Sequence, residues 1–100
     1  MQLSDWLERH TSDAPTALRA RVLEFALAAS GETRATTLAA AGQAALQTVL
    51  DHSGDRSAAL NLLAADALIT LALQAQAQDV PERLEEFATF VLGAGGRSRD

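Results

Sequence analysis

The chain has 100 residues, a length that supplies one hydrophobic core and one domain. Hydrophobic residues make up 48% of it, which argues against a disordered chain, and a net charge of −5 with no lysine leaves no clustered basic surface for phosphate backbones, so nucleic acid is not an expected partner. With no cysteine, disulfides and thiolate-based zinc or redox sites are ruled out.

The 22 Ala and 16 Leu, against four Val and one Ile, favour helices over strands. Ser4 can cap a short first helix through about His10, with Leu3, Trp6, Leu7 and His10 on one side. Thr11–Pro15 reads as a turn, and Pro15 suits the first turn of a second helix that stops near Ser30, before Gly31, a good left-handed terminator. The inner face of this helix is Leu18, Val22, Phe25, Ala26 and Ala29. A second patch, Leu23 with Leu27, is expected to be covered by the first helix through Trp6 and Leu7.

A third helix is predicted from about Thr33 to Asp51, with Leu38, Ala39, Gly42, Ala45, Leu46, Val49 and Leu50 as its buried stripe. No charge occurs between Arg34 and Asp51, which is unusual for a helix with a solvated side. Asp55 is the expected cap of a fourth helix, running from about Ser57 to Gln78. Apolar residues fill most of its circumference, leaving one polar strip, Asp66, Thr70 and Gln74, at i, i+4 and i+8. Pro81 opens a fifth helix, in which Leu84, Phe87, Ala88 and Val91 form the core stripe. Gly93 is expected to end that helix, leaving 93–100 as a flexible tail behind a single domain of residues 1–92. Short connections favour antiparallel neighbours, so the predicted architecture is all-α: an up-down-up-down four-helix bundle with a short N-terminal helix across it.

Chemistry-bearing clusters are few. Asp51, His52 and Asp55, with Glu32 in another loop, offer one imidazole and carboxylates, but helix ends and caps account for them, and a metal site needs three or four converging ligands. His10 is expected on the surface or packed beside Trp6. Glu82, Glu85 and Glu86 suit the positive end of a helix dipole and read as a solvated face. Asp66 is the sole charge between Arg56 and Asp79; a buried carboxylate there would mark a functional site, whereas a strip facing water is the ordinary expectation. No catalytic triad, phosphate loop or cofactor motif is present, so neither catalysis nor a cofactor is expected.

The functional expectation is a helical interaction module that binds another protein or itself, most simply as a homodimer. Its candidate interface is the outer face of the third helix, Ala40, Gln43, Ala44 and Gln47. The alternative is a small ligand-binding or enzymatic bundle using Asp66 or the Asp51–Asp55 turn. The N-terminus has no basic region followed by an apolar run, and Ala35–Leu50 is too short and too polar to span a bilayer. A cytoplasmic protein without membrane contact is therefore expected, and arginine without lysine, beside abundant Ala and Gly, suggests a GC-rich bacterial source.

Overall fold

The computed structural model describes residues 2–96, and the side-chain surroundings of residues 2–93. The described chain is all-helical, without strands: α1 (Leu3–His10), α2 (Thr16–Ala28), α3 (Arg34–Asp51), α4 (Ala58–Asp79), a 3-10 turn (Pro81–Arg83) and α5 (Leu84–Gly96). Its radius of gyration, 13.2 Å, is close to the value of about 13 Å for a folded chain of this length.

The centre of the fold is the α3–α4 pair, which forms the most extensive contact between elements. Alanines line much of both buried faces, Ala35, Ala39, Ala41 and Ala45 on α3 and Ala64, Ala65, Ala72 and Ala75 on α4, with Leu38 and Leu68 fully buried among them. Small side chains let helix backbones approach closely, and Gly42 takes this furthest. A Cβ there would lie 2.7 Å from Ile69 Cδ1. Helix α2 packs on both α3 and α4 through Val22 and Ala26, and α5 packs on α4 through Phe87 and Val91.

Helix starts follow local chemistry more varied than expected. Helix α3 begins as the residues dictate: Thr33 accepts from the Thr36 backbone N–H at 3.1 Å, while the Thr33 N–H donates to Thr36 Oγ1 at 2.9 Å. Elsewhere the expected caps are replaced. Gln2, not Ser4, occupies the cap position of α1, and Ser57, not Asp55, that of α4, neither with a side-chain cap bond. The Asp55 backbone closes the preceding turn instead, its carbonyl accepting from Ala58 N–H at 3.1 Å.

Helix α2 ends at Ala28, two residues early, and Gly31 does not terminate it in a left-handed conformation, since no glycine among the described residues has positive φ. Gly31 is required for another reason: a Cβ there would lie 2.6 Å from both Thr37 N and Thr36 Oγ1. The chain between α2 and α3 folds back onto the first turn of α3. At the other end, α5 continues past Gly93 to Gly96, and the rest of the expected tail, residues 97–100, lies outside the described residues.

Two expected burials are corrected. Leu46 and Leu50 are exposed and Val49 half-buried, while Ala41 takes a place in the core; the covered arc of α3 is rotated away from its leucine edge, and the turn at 51–57 that follows is itself exposed. On α2, Leu23 is half-buried beside Leu7 but Leu27 stands exposed, because Trp6 turns towards α3 and α4 rather than along α2. The expectation that no segment could span a bilayer also needs correction. Helix α4 is long and apolar enough by length and composition, although here it is a packed helix with Asn61 buried in its second turn.

Candidate interaction surface

The outer face of α3 is where the sequence placed it. Ala40, Gln43, Ala44 and Gln47 are all exposed. Gln47 donates to Asp51 Oδ1 at 2.9 Å and Thr48 to the Ala44 carbonyl at 2.9 Å, so polar groups bordering this face are satisfied along the helix. The face itself is uncharged, its alanines offering apolar contact and the exposed Gln43 amide a polar one.

Two grooves flank it. One, of about 390 Å³, lies between α3, α4 and α5 and is lined by Gly42, Gln43, Leu46, Leu62, Ile69 and Leu92, with Asp66 the sole charged lining residue among those described. The other, of about 280 Å³, runs between the start of α3 and α5, lined by Thr36, Ala39, Ala40, Gln43 and Phe90, with Glu32 at its edge. Gln43 belongs to both. Around them the large side chains Phe90 (63% exposed), Leu92 (65%), Leu62 (51%), Leu46 (37%) and, one turn beyond Leu46, Leu50 (64%) are left uncovered. Scattered exposed leucines are ordinary, but a contiguous apolar patch is not. Sequence reasoning placed Leu46 and Leu50 in the buried stripe of α3, counted Leu62 and Leu63 in the wide apolar arc of α4, and gave Phe90 and Leu92 no role; all six are exposed. Periodicity shows that a helix has an apolar face without showing whether anything covers it.

Asp66, Thr70 and Gln74 are exposed, as an ordinary polar strip would be. They form one wall of a separate polar groove of about 390 Å³, whose other wall is the end of α1 and the turn after it, including Arg9 and Asp13. His10 also lines this groove, but both its ring nitrogens are engaged. Nδ1 lies 2.8 Å from the Trp6 carbonyl and donates to it; Nε2 accepts from the Gln78 amide at 3.3 Å. Gln78 Oε1 accepts in turn from the Trp6 indole N–H at 3.2 Å, and the imidazole stacks on the indole at 3.9 Å between centroids. Arg34 completes this junction, its guanidinium 5.2 Å from the indole centroid and its Nη1 3.8 Å from Asp79 Oδ2. The expected packing of His10 beside Trp6 is therefore present, as part of a joint between α1, α3 and α4.

The Asp51–Asp55 turn gathers nothing. Asp51, His52 and Asp55 are exposed, and His52 Nδ1 bonds back to the Thr48 carbonyl at 3.2 Å. Glu32 precedes the first residue of α3 and Asp51 is its last, about 27 Å apart along an 18-residue helix, so Glu32 does not approach the turn. Among the described residues no three His, Asp or Glu side chains are placed to hold a metal ion. Glu82, Glu85 and Glu86 are exposed, with Glu86 paired to Arg83 at 2.8 Å.

One polar residue was missed. Asn61, 4% exposed, accepts from Arg21, which also pairs with Glu24 at 3.1 Å. Its place among leucines and alanines gave no sign that α2 would bring an arginine over it.

Compared with protein-family models, with curated proteins and with solved structures, the chain matches none of them.

Proposed function

We propose that this chain is a non-catalytic, cytoplasmic interaction module whose partner is a second copy of itself. The observation that carries the reading is the run of uncovered large apolar side chains beside the uncharged outer face of α3. Burying such a patch releases ordered water, and each large aliphatic side chain fully buried contributes about 1.5–3 kcal/mol. The charge pattern favours a second copy over a basic partner. An acidic adaptor would present carboxylates across its binding face, whereas here, among the described residues, Asp66 and Glu32 are the only charged ones lining the two grooves. Each groove carries one carboxylate, Asp66 or Glu32, while the outer face of α3 between them has no charge, so contact across that face adds no like-charge repulsion of its own.

The reading takes α2–α5 as an up-down-up-down four-helix bundle, crossed by α1. The short connections support it, because they favour antiparallel neighbours. Light scattering coupled to gel filtration tests the functional core of the proposal: a mass near 21 kDa, twice the 10.5 kDa chain, is expected at micromolar concentration. A single-chain mass across that range removes it.

A second reading, small-ligand binding, rests on one observation: Asp66, Thr70 and Gln74 share a groove with Arg9 and Asp13. An Asp66→Leu variant that gains stability and behaves otherwise as the parent chain would remove Asp66 from consideration.

A further inference from the structure

We infer that the second copy seats across the two grooves that flank the outer face of α3, anchored by Leu62 and Leu92 in one and Phe90 in the other, and that the two-fold axis of the dimer passes close to Gln43. This rests on the self-association reading and goes beyond it, since the sequence pointed only to the α3 face of Ala40, Gln43, Ala44 and Gln47.

Two observations carry the assignment. The first is area. The exposures of Phe90, Leu92, Leu62 and Leu46, which line the two grooves, amount to a little over two wholly exposed residues. At about 150 Å² each, that is roughly 300 Å² of apolar surface. A standard dimer buries about 800 Å² per subunit, of which about 60%, close to 480 Å², is apolar. These four side chains supply about two thirds of that requirement, and Leu50, one turn beyond Leu46, with the neighbouring Ala40 and Ala44, extends it. Exposed Leu27 on α2 and Leu63 on α4 line neither groove.

The second observation is position. A two-fold interface uses the same patch on both subunits, so the axis passes through the middle of the patch. Gln43 lines both grooves, with Leu46 and Leu62 on one side and Phe90 on the other. It is also an uncharged residue on a helix with no charge from Ala35 to Leu50, so its approach to its own copy meets no repulsion.

The absence of cysteine makes a direct test available. A Gln43→Cys variant treated with a short bismaleimide is expected to cross-link to a dimer in high yield, and a Leu27→Cys variant is not. In parallel, Leu62→Glu and Leu92→Glu, both at exposed positions, are each expected to weaken dimerisation by about 30-fold or more, the scale of an anchor residue. Leu27→Glu should leave it unchanged, with helix content by circular dichroism constant throughout. A wild-type dimer that is indifferent to Leu62→Glu and Leu92→Glu, or that cross-links through Leu27→Cys and not Gln43→Cys, overturns this seat and leaves self-association standing. A wild-type monomer overturns both.

Discussion

Gly31 and Gly42 show how two glycines of one chain answer to different constraints. A methyl group at Gly42 would press on the side chain of half-buried Ile69, 2.7 Å from Cδ1 and 3.0 Å from Cγ1 at the border of a groove, while the nearest backbone atom, Ile69 N, stays at an ordinary 3.4 Å. Replacing a mid-helix glycine by alanine also gains about 1 kcal/mol of helix propensity. Gly42→Ala is therefore expected to lie within about 1 kcal/mol of the parent. A methyl group at Gly31 would instead meet backbone, Thr37 N at 2.6 Å and Thr36 C at 2.9 Å, which cannot move without displacing the first turn of α3. Gly31→Ala should cost about 1–3 kcal/mol. Urea denaturation of the two variants side by side checks the contrast, and equal losses would refute it. Asn61 belongs to the same scale. Asn61→Ala removes the acceptor for Arg21 inside the packed interface and is expected to cost about 1–3 kcal/mol by the same measurement.

Helix α1 is eight residues long, too short to be stable alone, so its place depends on tertiary contacts. Those contacts converge on Trp6: its ring is buried against the core, stacked by His10, faced by Arg34 and tied through its N–H to Gln78 near the end of α4. The indole hydrogen bond and the burial of the ring separate experimentally. Trp6→Phe keeps most of the apolar ring and loses the bond to Gln78, for an expected cost of about 1 kcal/mol. Trp6→Ala empties the joint and should cost about 3–5 kcal/mol, a large share of the stability of a domain this size. Chemical denaturation gives both values, and hydrogen exchange should show the amides of α1 losing protection in Trp6→Ala before those of α3 and α4. Similar costs for the two variants would mean that the bond, not the ring, holds α1.

At the scale of the whole molecule, the proposed association is apolar and its salt dependence follows. Interactions between exposed charges weaken as ionic strength rises, whereas apolar burial does not. The dimer is expected to persist from 0.05 to about 1 M sodium chloride, and to tighten slightly as repulsion between two chains of net charge −5 is screened. Sedimentation equilibrium at the two ends of that range measures it; dissociation at high salt would point to an electrostatic contact and to a basic partner.

Composition and spacing were enough to show that the described chain is helical and to place five helices, with most boundaries within two residues, because alanine, leucine and proline act within a few residues of themselves; the reciprocal Thr33–Thr36 cap was seen only in the structure. The same local logic placed Asp66, Thr70 and Gln74 on one strip and Ala40, Gln43, Ala44 and Gln47 on one face, and the fold leaves both exposed. Tertiary structure alone decided which apolar residues have neighbours. Leu46, Leu50 and Leu62 obey the helical spacing as well as Leu38 and Leu68 do, yet the first three stand at the surface and the last two are sealed. The difference lies in where α2 and α5 come to rest against the α3–α4 pair. That is a property of contacts distant along the chain, as are the seat of Trp6 against Gln78 and the arginine that reaches Asn61.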